Sequence, residues 1–149
     1  ADLRSNLLSL MSEKQWEDIY CIDQEIISML EPSDIKIQSD AEEFNNMRPG
    51  ITQCEFLIAR FGSIMVSSKQ ASGRRMNVFP ESHIVVARTH QIVPEIKDAI
   101  KGIQKKYEGK LPSMMSLITG PSRTADIEKT LVMGAHGPKE LYLFLLDQD

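Results

Sequence analysis

The sequence predicts an α/β layer architecture, and three observations carry that reading. Near the N-terminus, a buried strand pattern at Ile19-Tyr20-Cys21-Ile22 is followed by a helix pattern over Gln24 to Leu30, then by a short apolar run and a second helix-start signal. Near the C-terminus, Ser116 to Leu146 reads as strand, Gly-Pro-Ser-Arg-Thr turn, short amphipathic helix, Gly-Ala-His-Gly-Pro turn and strand. The last of these strands, Leu141 to Leu146, is apolar without alternation, as expected where helices cover both faces of a sheet.

The elements follow in order. Leu3, Leu7, Leu8, Leu10 and Met11 predict a short N-terminal helix, and Ser12 with Gln15 makes a capping box that would start another turn. Asp23 is the N-cap for the helix over Gln24 to Leu30, whose apolar face is Ile26, Ile27 and Leu30, and Pro32 ends it. Ile35-Lys36-Ile37 reads as an edge strand. Asp40 with Glu43 is a capping box for a helix carrying Ala41 and Phe44. Cys54 to Ala59 and Ile64 to Ser67 form a hairpin turning at Gly62, and Ser68 to Pro80, with Gly73, Arg74 and Arg75, is an exposed loop. His83 to Ala87 is a β-branched strand. Pro94 opens the clearest helix, apolar at Ile96, Ala99, Ile100, Ile103 and Tyr107, with Gly109 as its stop.

A length of 149 residues fits one domain over 1–149, and the chain begins with Ala1 rather than Met, so the expectation is a piece of a longer polypeptide. The net charge of −4 argues against a nucleic-acid binder, which needs a clustered positive surface. No apolar run reaches the roughly 18 residues of a membrane span, and the N-terminus is too polar for a secretory signal. A cytoplasmic location is the expectation. The two cysteines, Cys21 and Cys54, fall short of the roughly four ligands of an iron–sulfur or structural zinc site. They read as buried thiols in a reducing compartment. No cofactor and no metal site is therefore expected in this chain.

The loop Thr119-Gly120-Pro121-Ser122-Arg123-Thr124 is the leading candidate site. Feeding a helix N-terminus, it would offer unpaired backbone N–H groups and a helix dipole, while Ser122 and Thr124 add hydroxyls and Arg123 a planar fork for carboxylate or phosphate. The plainer reading is that Ser122 or Thr124 caps the helix and Arg123 pairs with Asp126 or Glu128. Spacing leaves both open. His136, before Gly137-Pro138, is an acid/base, a ligand contact or a helix C-cap. Glu55, inside an apolar run, either faces solvent or sits in a cleft with a raised pKa. Glu55 and His136 are the candidates for proton transfer. Thr119, Gly120, Ser122, Arg123, Thr124, Asp126, His136 and Gly137 are the candidate ligand-binding residues. His83, His90 and His136 give no reason to expect a metal triad. Arg74 and Arg75 either close over an anionic ligand or lie on a solvated loop. Dinucleotide, P-loop and Gly-x-Ser-x-Gly signatures are absent.

Ser122-Arg123-Thr124-Ala125-Asp126-Ile127-Glu128, then Gly134-x-His136-Gly137-Pro138 and Leu141 onward, resemble the signature end of the LUD-domain family, the LutC-type lactate-utilization proteins. Glu55 to Val66, Pro80 with His83 to Val86, and Gln91 to Val93 also resemble it, so the likeness runs from about Ile51 to Leu146. One departure is Arg60-Phe61-Gly62-Ser63, where the family commonly has a Glu-Thr-Gly-Thr-like turn. The resemblance implies a three-layer α/β/α domain with a largely parallel sheet, similar to the sugar-phosphate isomerase and CoA-transferase-like superfamily. It also implies a role in oxidising L-lactate to pyruvate beside iron–sulfur partner subunits, and the residue reading of the Ser-Arg-Thr loop adds to this the expectation of an accessory subunit that binds a small anion there. The alternative is a stand-alone enzyme on a phosphorylated or CoA-linked metabolite.

Overall fold

The computed structural model describes residues 2–42, 49–125, 131–133 and 137–147, with the backbone alone for 123–125 and 131–133. Helix α1 (Leu3–Lys14) starts at Asp2, whose side chain accepts from the Arg4 amide, and buries Leu3, Leu7 and Met11. The expected new turn at Ser12 does not form. Instead α1 runs through Ser12 and closes on Gln15, which takes the left-handed conformation at φ 58°. Its amide bonds back to the carbonyls of Met11 and Ser12, so the last turn satisfies its own acceptors.

Strand β1 (Ile19–Tyr20), helix α2 (Gln24–Leu30) and strand β2 (Ile37–Gln38) follow as the sequence predicts. Asp23 accepts from the amides of Glu25 and Ile26, satisfying two orphan donors at the start of α2. The Arg4 guanidinium donates to the Met29 and Glu31 carbonyls at 2.9 and 2.7 Å, tying α1 to the end of α2. Ala41 and Glu42 begin a 3₁₀ turn, and the rest of the helix expected from Asp40 and Glu43 lies outside the described residues.

Strands β3 (Pro49–Gln53), β6 (Ser82–Arg88) and β11 (Glu140–Leu146) join β1 and β2 in a five-stranded sheet, ordered β11-β6-β3-β1-β2 and parallel throughout. Each strand buries alternate residues on opposite faces. On one face Ile19, Ile51, Ile84 and Val86 pack under α1 and α2. On the other, Val85 and Ala87 pack against strands β4 (Phe56–Ile58) and β5 (Ser63–Ser67). With β7 (Ile92–Val93) and β8 (Met115–Ile118), these make a second, mixed sheet ordered β7-β4-β5-β8. Helix α3 (Ile96–Lys106) covers its far side through Ala99 and Ile103. The architecture is therefore α/β, with the small sheet and α3 together forming the layer opposite α1 and α2.

Three expectations change. The segment from Arg123 is not a helix: β9 (Arg123–Ala125) and β10 (Leu131–Met133) pair antiparallel, with Thr124 opposite Val132. The β-branched and aliphatic residues at the ends of this short segment find ladder partners in each other, which an isolated turn of helix could not offer them. Residues 126–130 lie outside the described residues. Second, β11 is an edge strand. Tyr142, Phe144 and Leu146 pack beneath α1, but Leu143 and Leu145 are each 47% exposed. Third, the loop after β5 is not wholly exposed, because a 3₁₀ turn at Arg75–Asn77 buries Met76 against Tyr20.

The hairpin turn at Gly62 has φ +62°, and Gly109 closes α3 at φ +79°, as the sequence predicts. Gly102 is explained by packing rather than conformation. A Cβ there would lie 2.2 Å from Cζ of Phe56, the ring that fits α3 onto β4. Alanine improves helix propensity by about 1 kcal/mol, but overpacking costs about 1–3 kcal/mol. Gly102→Ala is therefore expected to lower stability by about 1 kcal/mol in urea denaturation, the reverse of its effect on an exposed helix face.

Candidate functional site

The candidate residues fall into two places at opposite ends of β5. At the Ser63 end, the Ser63 hydroxyl meets the Thr119 hydroxyl at 2.8 Å, with β8 running alongside. The chain then turns through Gly120, at φ +113°, to Ser122, whose amide donates to the Pro138 carbonyl at 2.8 Å. A Cβ on Gly137 would meet that of Ser122 at 3.3 Å. The two conspicuous loops of the sequence therefore touch, Gly137 permitting the close approach. Among the described residues no helix dipole stands behind them, since Arg123 to Ala125 is a strand. The Thr119 hydroxyl and the Ser122 amide are also engaged with protein partners. The side chains of Arg123 and Thr124, and all of Asp126 and His136, lie outside the described residues.

At the Ser67 end sits Glu55. Both sequence readings of it are corrected: the side chain has no exposure, and its pKa is lowered rather than raised. Burial pushes the carboxyl up, but three donors outweigh it. Lys106 Nζ donates at 2.7 Å, the Ser67 hydroxyl at 2.6 Å and the Tyr107 hydroxyl at 2.5 Å. The sequence concealed this because its partners come from β5 and the end of α3, far along the chain. Four residue steps along β5 separate Ser67 from Ser63, roughly 13 Å, so Glu55 and the Thr119 loop are not one constellation.

A third polar group lies at the carboxyl edge of the parallel sheet. The chain places β2 on one side of β1, then returns to lay β3, β6 and β11 on the other, so the strand order reverses between β1 and β3. Open α/β sheets place ligands at such a point. Here Gln53 donates to Asp23 and Glu25 at 3.0 Å each, Arg88 donates to Gln53 at 3.0 Å, and Arg88 also pairs with Glu25. The Gln53 amide holds the Glu25 carboxyl below its usual range, and Arg88 adds to this against burial. Sequence reasoning identified Asp23 as a cap only; its position one residue beyond Ile22 was the available signal.

At the opposite edge, Lys14, Trp16, Glu17, Asp18, Pro49, Glu81, Ser82, Lys139 and Glu140 line an open groove of about 640 Å³. Lys14 and Glu140 pair at 2.7 Å and Lys139 and Glu81 at 3.1 Å, leaving Glu17 and Asp18 to make the lining net acidic. An anion is disfavoured there. The Arg60-Phe61-Gly62-Ser63 turn carries a guanidinium paired with Glu95 at 3.0 Å, and Phe61 stands 53% exposed at the hairpin tip. Among the described residues no group of His, Cys, Asp and Glu could hold a metal ion, and no helix is long and apolar enough to cross a membrane. Cys21 and Cys54 are buried and free, and burial pushes both thiols up to about 12.

His83, the second residue of β6, is fully buried, its Nε2 2.8 Å from the Thr52 hydroxyl and its Nδ1 without a partner among the described residues. Burial pushes the imidazole down to about 4. Between that value and an unfolded value near 6.5 the unfolded chain binds the extra proton, so stability is full above about pH 6.5 and falls as pH drops toward 4. Denaturation midpoints followed across this window are expected to fall in the wild type and to fall less in His83→Gln. For Glu55, the two partners should differ. Lys106→Met strands a buried carboxylate and is expected to cost about 3 kcal/mol, whereas Glu55→Gln frees a half-exposed ammonium and costs about 1–2 kcal/mol. Equal losses in urea denaturation would contradict the buried, ionised carboxylate.

Comparison with known proteins now adds to this geometry. The chain is 31% identical over 144 residues to lactate utilization protein C of Geobacillus kaustophilus, covering 95% of this chain and 58% of that protein. It is 35% identical over 108 residues to an uncharacterized protein of Neisseria meningitidis serogroup B, covering 72% of this chain and 46% of that one. It thus spans about half the length of the curated relatives it matches. A crystal structure of a DUF162 family protein from Deinococcus radiodurans superposes with a TM-score of 0.68 over 99% of this chain and 84% of that one, at 16% identity, which shows the shared fold. The family description "LUD domain" matches residues 6–146, and with that span the chain belongs to the LUD-domain family.

Proposed function

We propose that this chain serves in lactate utilization as an accessory component, working beside iron–sulfur proteins that carry the electrons in oxidising L-lactate to pyruvate. The observation that carries the reading is the 31% identity to lactate utilization protein C across 95% of the chain. The thiol chemistry supports the division of labour. Two buried thiols, both pushed up to about 12, are neither enough nor ready as thiolates to hold a usual cluster.

Within this proposal a small carboxylate or phosphate sits where the turn at Thr119-Gly120-Ser122 meets Gly137. Arg123 holds the anion, Ser122 and Thr124 orient it, and Asp126 and His136 border it. Support comes from the contact of the two loops and from the residue types between them. Two of the donors first assigned there already have partners, so the fork of Arg123 carries most of the recognition. Proton transfer at this place falls to His136, because Glu55 lies at the far end of β5 and is held ionised by Lys106.

Deleting the gene is expected to abolish growth on L-lactate while leaving growth on glucose unchanged, and affinity capture of the chain from lactate-grown cells is expected to recover iron–sulfur proteins. Undiminished growth on lactate would contradict the role. Arg123→Ala is expected to weaken binding of lactate or pyruvate by about tenfold in calorimetric titration, the contribution of one charge-assisted bidentate contact. Unchanged affinity would remove the anion from this loop and leave the lactate role standing.

A further inference from the structure

The turn after β5 and the segment after α3 come together beside the Glu55 cluster, and neither belongs to the site proposed above. Two cations from the turn are laid across to that segment. Arg74 donates through Nη2 to the Ser113 hydroxyl at 2.5 Å, and Lys69 donates to the Lys110 carbonyl. The Ser113 hydroxyl in turn meets the Ser68 hydroxyl at 3.2 Å, and Ser68 exchanges backbone and side-chain bonds with Met114. Lys69 Nζ stands 4.8 Å from the Tyr107 ring centroid and Lys106 Nζ 5.2 Å from the same centroid. Two ammonium groups and a guanidinium thus converge on two serine hydroxyls and one aromatic ring.

The charges there do not cancel. Lys106 is neutralised by Glu55, which is buried and already takes its three donors. Lys69 and Arg74 have no carboxylate partner among the described residues; each is held by a neutral oxygen. Glu108, at the end of α3, is the one acidic side chain in the adjoining segment. The negative end of α3 accounts for a lysine nearby, but Arg74 addresses Ser113, past that end. Paired cations fixed by neutral acceptors beside hydroxyl donors suit an incoming dianion, which would gain both charges without breaking an ion pair. Both cations and Ser113 are exposed, so a ligand reaches them from solvent. In a chain of net charge −4, so local an excess of positive charge is the kind that focuses an anion.

We propose that Lys69, Arg74, Ser68 and Ser113 bind a phosphate group, distinct from the anion site at Arg123. A phosphate dianion, rather than a monocarboxylate, matches two separate cations and the one serine O–H that the Ser68–Ser113 bond leaves free. Its source is either free phosphate or the phosphoryl end of a larger metabolite, and the probes below separate these.

The test is a titration of the full chain at low ionic strength with inorganic phosphate, with AMP as a phosphate monoester, and with lactate, followed by amide and Arg side-chain chemical shifts. Saturable shifts at Lys69, Arg74 and Ser113 are expected with phosphate or AMP. Tighter binding of AMP identifies a phosphorylated metabolite, and equal binding identifies free phosphate. The double variant Lys69→Gln, Arg74→Gln is expected to lose at least about tenfold in affinity, while Lys97→Gln, Lys101→Gln, on the outer face of α3, loses nothing beyond the loss of net charge. Circular dichroism and melting temperature confirm that each variant is folded, and Arg74→Lys, which keeps the charge, is expected to bind better than Arg74→Gln. No saturable shift with either phosphate probe overturns the proposal, as does equal weakening by the α3 variants or a response to lactate alone. Failure here leaves growth on lactate unaffected, so the two readings stand or fall separately.

Discussion

A single buried carboxylate holds the second half of this molecule together. Glu55 follows β3 by two residues, at the point where the chain leaves the parallel sheet for the smaller one. Its three donors come from β5, from the last turn of α3 and from the residue that caps it. Glu55 therefore joins the two sheets and the outer helix at one point. Burying a charge is costly unless every lone pair is met, and here the donors lower the pKa despite burial. The balance works because Lys106 keeps about half of its side-chain surface in water, so only one member of the pair is fully desolvated.

That junction also decides how the surface is divided. The paired loops at Ser122 and Pro138 stand at one end of β5, the Glu55 cluster at the other, and the strand between them is fully buried. The carboxyl edge of the parallel sheet carries the Asp23, Gln53 and Arg88 network, contiguous with Glu55 through Gln91, which donates to the Cys54 and Glu55 carbonyls. The edge where this class of sheet usually receives ligands thus carries a continuous polar network. The opposite edge has an open groove of about 640 Å³ but the wrong charge for an anion.

Much of the fold was legible because local rules were decisive. Asp23, Pro32 and the spacing of Ile26 and Leu30 define α2 without help from the rest of the chain, and the period of Ile96, Ala99 and Ile103 does the same for α3. The segment after Arg123 was misread because a stretch this short carries both patterns at once, and only a pairing partner decides between helix and hairpin. Leu141 to Leu146 misled for another reason: an unbroken apolar run does not tell a central strand from an edge strand with two half-exposed leucines. For the site, the touching of the two loops was foreseeable from their glycines and prolines. The partners of Glu55 were not, because Ser67, Lys106 and Tyr107 meet it only through tertiary folding, and an acid in an apolar run is consistent with either face.

The ionisation of Glu55 is the most direct measure of this account. A carbon-detected NMR titration of its side-chain carboxyl in the folded protein should show it charged throughout the neutral range, with a midpoint below that of an ordinary glutamate. A midpoint at or above the ordinary value would mean that Lys106, Ser67 and Tyr107 do not hold it as described, and the joint between the two sheets would need another explanation.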